Sequence, residues 1–220
     1  MQLRVSISAL KGVGEQVGRK LNKLGIFTVQ DMIEHYPREY EDRRKITPLA
    51  EMELDTPINI LVMVASTPQV TRKGNHILVT FRVKDATGSI FVTFYGQAYM
   101  KNNFSVGERF LMYGKVKRQY GKVEMDSPEY QKVTDPSKIG EVAKITPIYP
   151  ATQKLSQKVI RGLILQSLEA VEEEIVDPIP ENIRKQYDLM PKGEAVHQIH
   201  FPRNSESFFA ARKRLVFEEL

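Results

Sequence analysis

Residues 76–99 carry aromatic and cationic side chains at alternating positions, a spacing that suits a surface for nucleic acid. One side of this alternation holds Arg82, Lys84, Phe91 and Tyr95. Aromatic rings stack on unpaired bases, and cations neutralise the phosphates of a nucleic-acid backbone. The chemistry predicted for this side is therefore non-covalent binding of a polyanion.

The same residues predict a β-hairpin that would present those side chains. Apolar and polar residues alternate with period two over 76–84 and again over 89–95, on either side of the turn at 85–88. This pattern is typical of a half-buried antiparallel hairpin. The side that would face the core carries Ile77, Val79, Phe81, Val83, Ile90, Val92 and Phe94.

Residues 58–133 contain five strand candidates with a short helix candidate, 96–104, between the third and the fourth. The strand candidates are 58–66, 76–84, 89–95, 108–117 and 121–133. Their order predicts an OB-fold, a five-stranded antiparallel barrel that binds nucleic acid with the face of strands 2–3 and the 1–2 and 4–5 loops. In those two loops the basic and aromatic candidates are Arg72, Lys73, Lys117, Arg118, Tyr120 and Lys122.

The flanking segments predict helices, so the predicted fold class is α+β. We expect a helical region at 1–45, the barrel at 46–134 and a helical linker at 135–220. Thr28, with Asp31 three residues on, predicts a capping box. In the connector 37–59, we expect a local network of Arg38, Tyr40, Glu41, Asp42 and Arg43.

Residues 11–19 resemble the helix-hairpin-helix motif of DNA-repair proteins. Gly12 and Gly14 allow backbone conformations that expose N–H groups at a helix N-terminus, while Lys11 and Arg19 add charge for a phosphate. A tight connection that only packs on its neighbours is the alternative. A dinucleotide site is disfavoured, because the spacing is G-x-G-x-x-x-G and no second parallel strand follows.

Charge and composition narrow the function classes. The net charge is +5, and residues 60–125 carry 10 basic and 3 acidic side chains. This local excess suits a polyanion partner, although a solvated basic surface stays an alternative. With no cysteine and four scattered histidines, disulfides and a metal site are not expected. We expect a cytoplasmic protein, since no secretory signal or membrane span is evident.

Several segments together resemble the RecG family of bacterial ATP-dependent branched-DNA helicases, and the resemblance covers essentially the whole chain. The segments are LKGVGEQVGRKLNKLGIFTVQDMIEHYPREYEDR, FYGQAY, YGKVKRQYGKVEMDSPEY, ITPIYP and HFPRNSESFFAARKRLVFEEL. The resemblance implies a wedge that splits the arms of replication forks and Holliday junctions in recombination, repair and stalled-fork processing. It also implies that ATP and Mg act in motor domains absent from this chain, which carries no G-x-x-x-x-G-K-[ST] loop and should not be catalytic alone.

The resemblance assigns base stacking to Tyr95 and Tyr99, which match the two aromatics of a pattern like F-N-Q-x-Y. Tyr95 replaces the usual Phe, and Gly96 replaces the usual Asn, so we expect a looser geometry around Tyr99. Implied partners are branched DNA and the motor domains of the same protein, with the protein a monomer. A general single-strand-binding module and a protein-interaction module stay open, as does burial of either tyrosine.

Overall fold

The computed structural model describes residues 2–119, 121–135, 137, 139–152 and 155–219, without the side chains of Lys73, Glu141, Val142 and Glu172. These residues form two compact units, one of Met1–Glu41 with Ile145–Leu220 and one of Asp42–Lys144. The first and last of the three regions expected from sequence therefore share a unit. We call the two units the helical unit and the sheet unit.

In the described residues the strands are β1 (Glu39–Asp42), β2 (Pro57–Val64), β3 (Gln69–Lys73), β4 (His76–Lys84), β5 (Ser89–Tyr95), β6 (Arg109–Gln119), β7 (Lys122–Asp126), β8 (Glu129–Lys132) and β9 (Ile145–Ile148). The α-helices are α1 (Glu15–Asn22), α2 (Val29–Ile33), α3 (Ile139–Val142), α4 (Gln157–Val171), α5 (Glu181–Tyr187), α6 (Lys192–His200) and α7 (Ser205–Glu218). Short 3-10 helices cover Ile7–Ala9, Leu49–Glu51, Ala98–Asn103 and Glu172–Glu174.

Strand pairing in the sheet unit runs in a closed circuit. β2 pairs with β4, β4 with β5, β5 with β7, β7 with β6, and β6 with β2 again. The pairing of β5 with β7 is parallel, and the other four are antiparallel. The protein is thus a mixed α+β protein with an OB-fold-like sheet, as its strand pattern predicted.

Alternation along β4 and β5 fills the interior of this sheet, as predicted. Val79, Phe81 and Val83 of β4 are buried, and so are their counterparts Ile90, Val92 and Phe94 of β5. Rings pack against one another there, with Phe104 lying 4.6 Å from Phe81 between ring centroids. Apolar burial of this kind is the main stabilising contribution to a small β domain.

Two stretches of the sheet differ from the sequence prediction. Residues 69–73, expected in a loop, form β3 and pair with β4. The predicted fifth strand is two strands, β7 and β8, because Ser127 adopts a left-handed backbone (φ 41°) and Pro128 has no N–H to donate. β7 then pairs with the end of β6, and β8 pairs with its beginning.

In the connector, Arg38 pairs locally with Glu39, whereas Arg43 reaches partners far along the chain. Arg43 is buried and its guanidinium donates two hydrogen bonds to Glu129, at 3.0 and 3.1 Å. It also lies 3.6 Å from the ring centroid of Tyr113. These partners lie on β6 and β8, and the prediction of a local network did not include them. Asp42 pairs locally, with Arg44.

The helical unit packs α1, α2 and α4 around one apolar core, with α6 and α7 adding a second cluster. The predicted capping box is confirmed, since Thr28 accepts from the Asp31 N–H and Asp31 accepts from the Thr28 N–H. The sequence prediction missed α6 and the pairing of β1 with β9. Across the described residues, none of the helices has the length and apolarity that crossing a lipid bilayer requires.

Arg214 and His200 are fully buried in the helical unit and are paired there. The Arg214 guanidinium donates to Asp177 at 2.7 Å and to Glu218 at 2.8 Å. His200 Nε2 lies 2.7 Å from the Ile33 carbonyl oxygen, and its Nδ1 lies 2.9 Å from the Tyr149 hydroxyl. A carbonyl only accepts, so Nε2 carries the proton and Nδ1 accepts from the hydroxyl.

The buried histidine predicts a dependence of stability on pH. Burial lowers the pKa of His200 to about 4, from its ordinary value of 6.5. Between these two pH values the unfolded chain binds a proton that the folded chain does not bind. The free energy of unfolding should therefore fall by about 2 kcal/mol from pH 7 to pH 5 on account of this residue. Urea unfolding at both pH values measures the change.

The variant His200→Gln separates the contribution of His200 to the pH dependence of stability from the contribution of the carboxylates. It should be less stable than the wild type at pH 7, because it disturbs a buried hydrogen-bond chain, by about 1–3 kcal/mol. The stability difference between the two proteins should shrink towards pH 5. A difference that stays constant over this range would contradict the assignment of a neutral, buried histidine.

Candidate nucleic-acid interface

The side of β4, β5 and β7 that points away from the core is a partly exposed surface in which Thr93 is buried, and we call it the outer face. It consists of Arg82 and Lys84 on β4, Phe91, Thr93 and Tyr95 on β5, and Lys122, Glu124 and Asp126 on β7. Strand alternation places these side chains together, because inward neighbours on the same strands fill the core. The face therefore unites the aromatic and cationic residues predicted from 76–99.

Both candidate stacking residues are accessible. The Tyr95 side chain ends β5 and is 45% exposed, and Tyr99, in the short 3-10 helix that follows, is 62% exposed. Their hydroxyls donate hydrogen bonds to Asp126, at 3.2 Å, and to Gln97, at 3.0 Å. The alternative that either tyrosine is buried is therefore wrong, and both rings are available for a ligand.

Gly96 fixes the direction of the chain between the two rings. Its φ is +75°, in the left-handed region, and its N–H donates to the Ile77 carbonyl at 2.8 Å. Glycine and asparagine are the residue types that adopt this conformation most readily. Gly at this position therefore suits the required backbone conformation, and the hydrogen bond to β4 opposes the looser geometry expected from sequence.

Phe91 has a different environment from the two tyrosines. It is half-buried, and its ring centroid lies 5.0 Å from the Arg82 guanidinium carbon and 5.2 Å from Lys122 Nζ. Cations at these distances are attracted by the ring. Phe91 thus holds two cations on the outer face, which suits it to organise phosphate contacts more than to stack on a base.

The other predicted cations are distributed around the same unit. Arg72, Lys84, Arg118 and Lys122 are exposed, and Lys117 is half-buried beside Glu124 on the neighbouring strand. The backbone of Lys73 lies in β3, beside the β3–β4 turn. The predicted contact residue Tyr120 lies outside the described residues.

Two carboxylates on the outer face were missed in the sequence analysis. Glu124 lies opposite Phe91, and Asp126 lies opposite Thr93, in the parallel pairing of β5 with β7. The Thr93 hydroxyl donates to Glu124 at 3.2 Å. Alternation along 122–126 could have placed both acids outward, but the parallel pairing that brings them beside the aromatics has no local sequence signal.

Tyr95, at the end of β5, is neutral at physiological pH. Burial of part of its ring raises the pKa of Tyr95, and the charge of Asp126 and its hydrogen bond raise it further. The hydroxyl therefore remains a donor to Asp126. A neutral ring with a fixed hydroxyl keeps both its orientation and its ability to stack.

The Gly12–Gly14 element belongs to the helical unit and is tied to its own neighbours. Gly12 has φ +90°, and Gly14 is the N-cap of α1. Lys11 N–H donates to Gln166 of α4 at 2.6 Å, and Arg19 pairs with Glu15 in the first turn of α1. These contacts favour the packing alternative, because the acid and its paired arginine occupy the end of the helix that would receive a phosphate.

Within the described parts of the chain, His, Asp and Glu side chains form no group of three or more that could hold a metal ion.

The sequence of this chain is similar to a known protein family and to curated proteins. The family described as RecG wedge domain matches residues 6–171, more than half of the chain. The ATP-dependent DNA helicase RecG of Haemophilus influenzae is 34% identical over 226 residues, which cover 98% of this chain and 32% of that protein. RecG of Bacillus subtilis is 28% identical over 222 residues, covering 98% and 31%. The chain thus spans about a third of the length of these curated relatives.

Structural comparison agrees with the sequence relatives. A solved structure of RecG bound to a three-way DNA junction superimposes with a TM-score of 0.85 and 27% sequence identity. The match covers 100% of this chain and 30% of that one. The similarity is therefore to a part of RecG and includes both units of the chain.

The backbone at Gly96 gives a testable prediction. Gly96→Asn should change the free energy of unfolding by less than about 1 kcal/mol, because Asn tolerates a positive φ. Gly96→Val should cost about 1–2 kcal/mol, since a β-branched side chain is strained in that region. Urea unfolding of the three proteins measures both effects. Equal stability of the Asn and Val variants would contradict a left-handed conformation at this position.

Proposed function

Because this chain belongs to the RecG wedge domain family, we propose that it binds branched DNA and acts as the wedge that splits DNA arms at the branch point. The proposed substrates are replication forks and Holliday junctions. The observation that carries the proposal is the pair of exposed rings, Tyr95 and Tyr99, beside the cations of the outer face. The solved complex of RecG with a three-way DNA junction supports the same class of ligand.

The physical basis of the proposal is the exchange of one stack for another. A base at a branch point loses a stacking neighbour when its strand parts from the complement. An exposed aromatic ring can replace that neighbour, at about 1–3 kcal/mol per base. Tyr95 and Tyr99 are separated by a short, hydrogen-bonded turn, so they offer two such surfaces next to each other. Arg82 and Lys122, held by Phe91, would bind the adjoining phosphates.

In this proposal the five-strand circuit of β2, β4, β5, β7 and β6 is an OB-fold barrel. Its binding surface is the face of the second and third barrel strands, β4 and β5, with the loops that flank it. The loop cations Arg72 and Arg118 would then extend the phosphate contacts beyond the outer face. Recognition would depend on the shape of the junction, because the candidate surface presents no helix suited to the major groove.

The proposal assigns the energy-consuming step to other parts of a longer protein. RecG relatives are about three times as long as this chain, and they are described as ATP-dependent DNA helicases. We propose that ATP and Mg act in motor domains of the same protein, with this chain contributing no nucleotide site. The role would lie in recombination, repair and stalled-fork processing, by a monomeric, cytoplasmic protein.

A general single-strand-binding function is the second candidate. The same exposed rings and cations favour it, since stacking and phosphate contacts need no junction. It differs from the wedge in one measurable respect, which is that a fork and its isolated single strands should bind equally well. A protein-interaction module should show little salt dependence in its affinity for either the fork or the single strands.

Competition binding tests the wedge directly. At near-physiological salt, a model replication fork should bind this chain more tightly than a duplex or a single strand of the same sequence. Tyr95→Ala should weaken fork binding about tenfold, which corresponds to the loss of one stacked base. The measurement is fluorescence anisotropy with each unlabelled DNA as competitor.

Tyr187→Ala is the matched control for this experiment. Tyr187 is also about half exposed, at 48%, but lies on α5 in the helical unit. Its removal should leave fork affinity unchanged. Equal affinity for fork, duplex and single strand, unaltered by Tyr95→Ala, would contradict the wedge function for this chain.

The cations held by Phe91 predict a change in salt dependence. Replacing Arg82 and Lys122 together by Gln should flatten the plot of log affinity against log salt by about 1–2, since each lost phosphate contact removes about 0.7–0.9 from the slope. Tyr95→Ala should lower affinity with little change of slope, because a ring releases no counterions. Lys185→Gln, on α5, is the control substitution. A slope that does not change in the double variant would place the phosphate contacts elsewhere.

A further inference from the structure

We infer that the outer face holds a DNA strand with its phosphates at Arg82 and Lys122, beside Phe91, and the edge of a stacked base against the carboxylates of β7. The consequence is a preference at Tyr95 for an unpaired base that carries an exocyclic amino group, such as cytosine, over thymine. This inference rests on the proposed function and adds to it the class of nucleotide that the stacking site selects. Asp126, with Glu124, is the specificity-determining residue.

The first observation is the order of charge across three strands. In the row that contains Phe91, β4 contributes Arg82 and β7 contributes Glu124. In the next row towards Tyr95, β7 contributes Asp126 beside Thr93. Lys122 of β7 also lies over the Phe91 ring, so the cations Arg82 and Lys122 meet at Phe91, while Asp126 lies beside Tyr95. A phosphate is attracted to the cations at Phe91 and repelled from the carboxylate at Tyr95, so the backbone of a bound strand is directed to the Phe91 end of the face.

The second observation is the hydrogen bond between the ring and the carboxylate. The Tyr95 hydroxyl donates to Asp126 Oδ1 at 3.2 Å. Asp126 is itself held in place, because the following residue, Ser127, donates its N–H to the Thr93 carbonyl at 2.8 Å. A carboxylate has about four acceptor positions, so one bond from Tyr95 leaves Asp126 able to accept another donor. That capacity lies at the edge of the ring on which a base would stack.

The chemistry of the base edge then decides the preference. Cytosine carries an amino donor at position 4, where thymine carries a carbonyl acceptor. Asp and Glu carboxylates accept from the cytosine amino group, whereas two acceptors repel each other. Cytosine and thymine have similar ring area, so a difference in binding affinity between them reports the contact at the base edge more than stacking.

The experiment uses two fork substrates that differ only in the unpaired nucleotides at the branch point, dC in one and dT in the other. The unmodified chain should bind the dC fork about fivefold more tightly than the dT fork, in competition at near-physiological salt. Asp126→Asn should bring the ratio close to one, because an amide of the same size offers both a donor and an acceptor. It can still accept from Tyr95, so the ring keeps its partner.

Two further variants keep the test decisive. Glu51→Gln removes one carboxylate from the exposed 3-10 turn of the same unit and should leave the dC/dT ratio unchanged. Should Asp126→Asn fail to fold, as judged by circular dichroism and its urea midpoint, Glu124→Gln takes its place and should also lower the ratio. Glu124 accepts from Thr93, and a glutamine oxygen can do the same.

The outcomes separate this inference from the proposed function. Fork preference over duplex with equal affinity for dC and dT overturns the inference and leaves the wedge function standing. A dC preference that persists in both carboxylate variants also overturns it. Binding without any fork preference would remove the proposed function, and this inference with it.

Discussion

Hydrogen bonding between β2 and β6 is the constraint on which the sheet unit depends. Seven residue pairs, from Pro57–Lys115 to Met63–Arg109, join the two strands that would otherwise be the open edges of a five-strand sheet. Closure gives every strand of the circuit an inward and an outward side. The inward side carries the apolar side chains of the core, and the outward side chains do not have to pack into that core. An exposed ring such as Tyr95 can therefore stand on the outward side without loss of core packing.

Local patterns in the sequence predicted the parts of the fold that local physics determines. Alternation over 76–84 and 89–95 gave the hairpin and its buried side, and Thr28 with Asp31 gave a helix start. The parts that were missed depend on partners far along the chain. Arg43 is paired with Glu129, 86 residues away, so no window of sequence around Arg43 could reveal its role. The parallel contact of β5 with β7 is of the same kind.

The candidate site was likewise predictable from the sequence only in part. The outward positions of Tyr95 and of the cations on β4 followed from strand period alone. What the residues do to one another did not follow, because it depends on distances between strands. Phe91 was expected among the binding residues, yet two cations lie over its ring. Asp126 was not expected at all, although it accepts a hydrogen bond from the Tyr95 hydroxyl. Sequence thus indicated which side chains share a surface, while the structure gave their partners.

The two ends of the sheet unit meet, since the Arg43 N–H donates to the Lys144 carbonyl at 3.2 Å. The sheet unit is therefore an insertion within the sequence of the helical unit, and its own two ends lie next to each other. Domains whose ends lie close together are tolerated as insertions, because the host chain needs only a short gap to receive them. The segment 42–144 is in this sense a cassette. A different domain with adjacent ends could be accommodated between residues 41 and 145 while the helical unit stays the same.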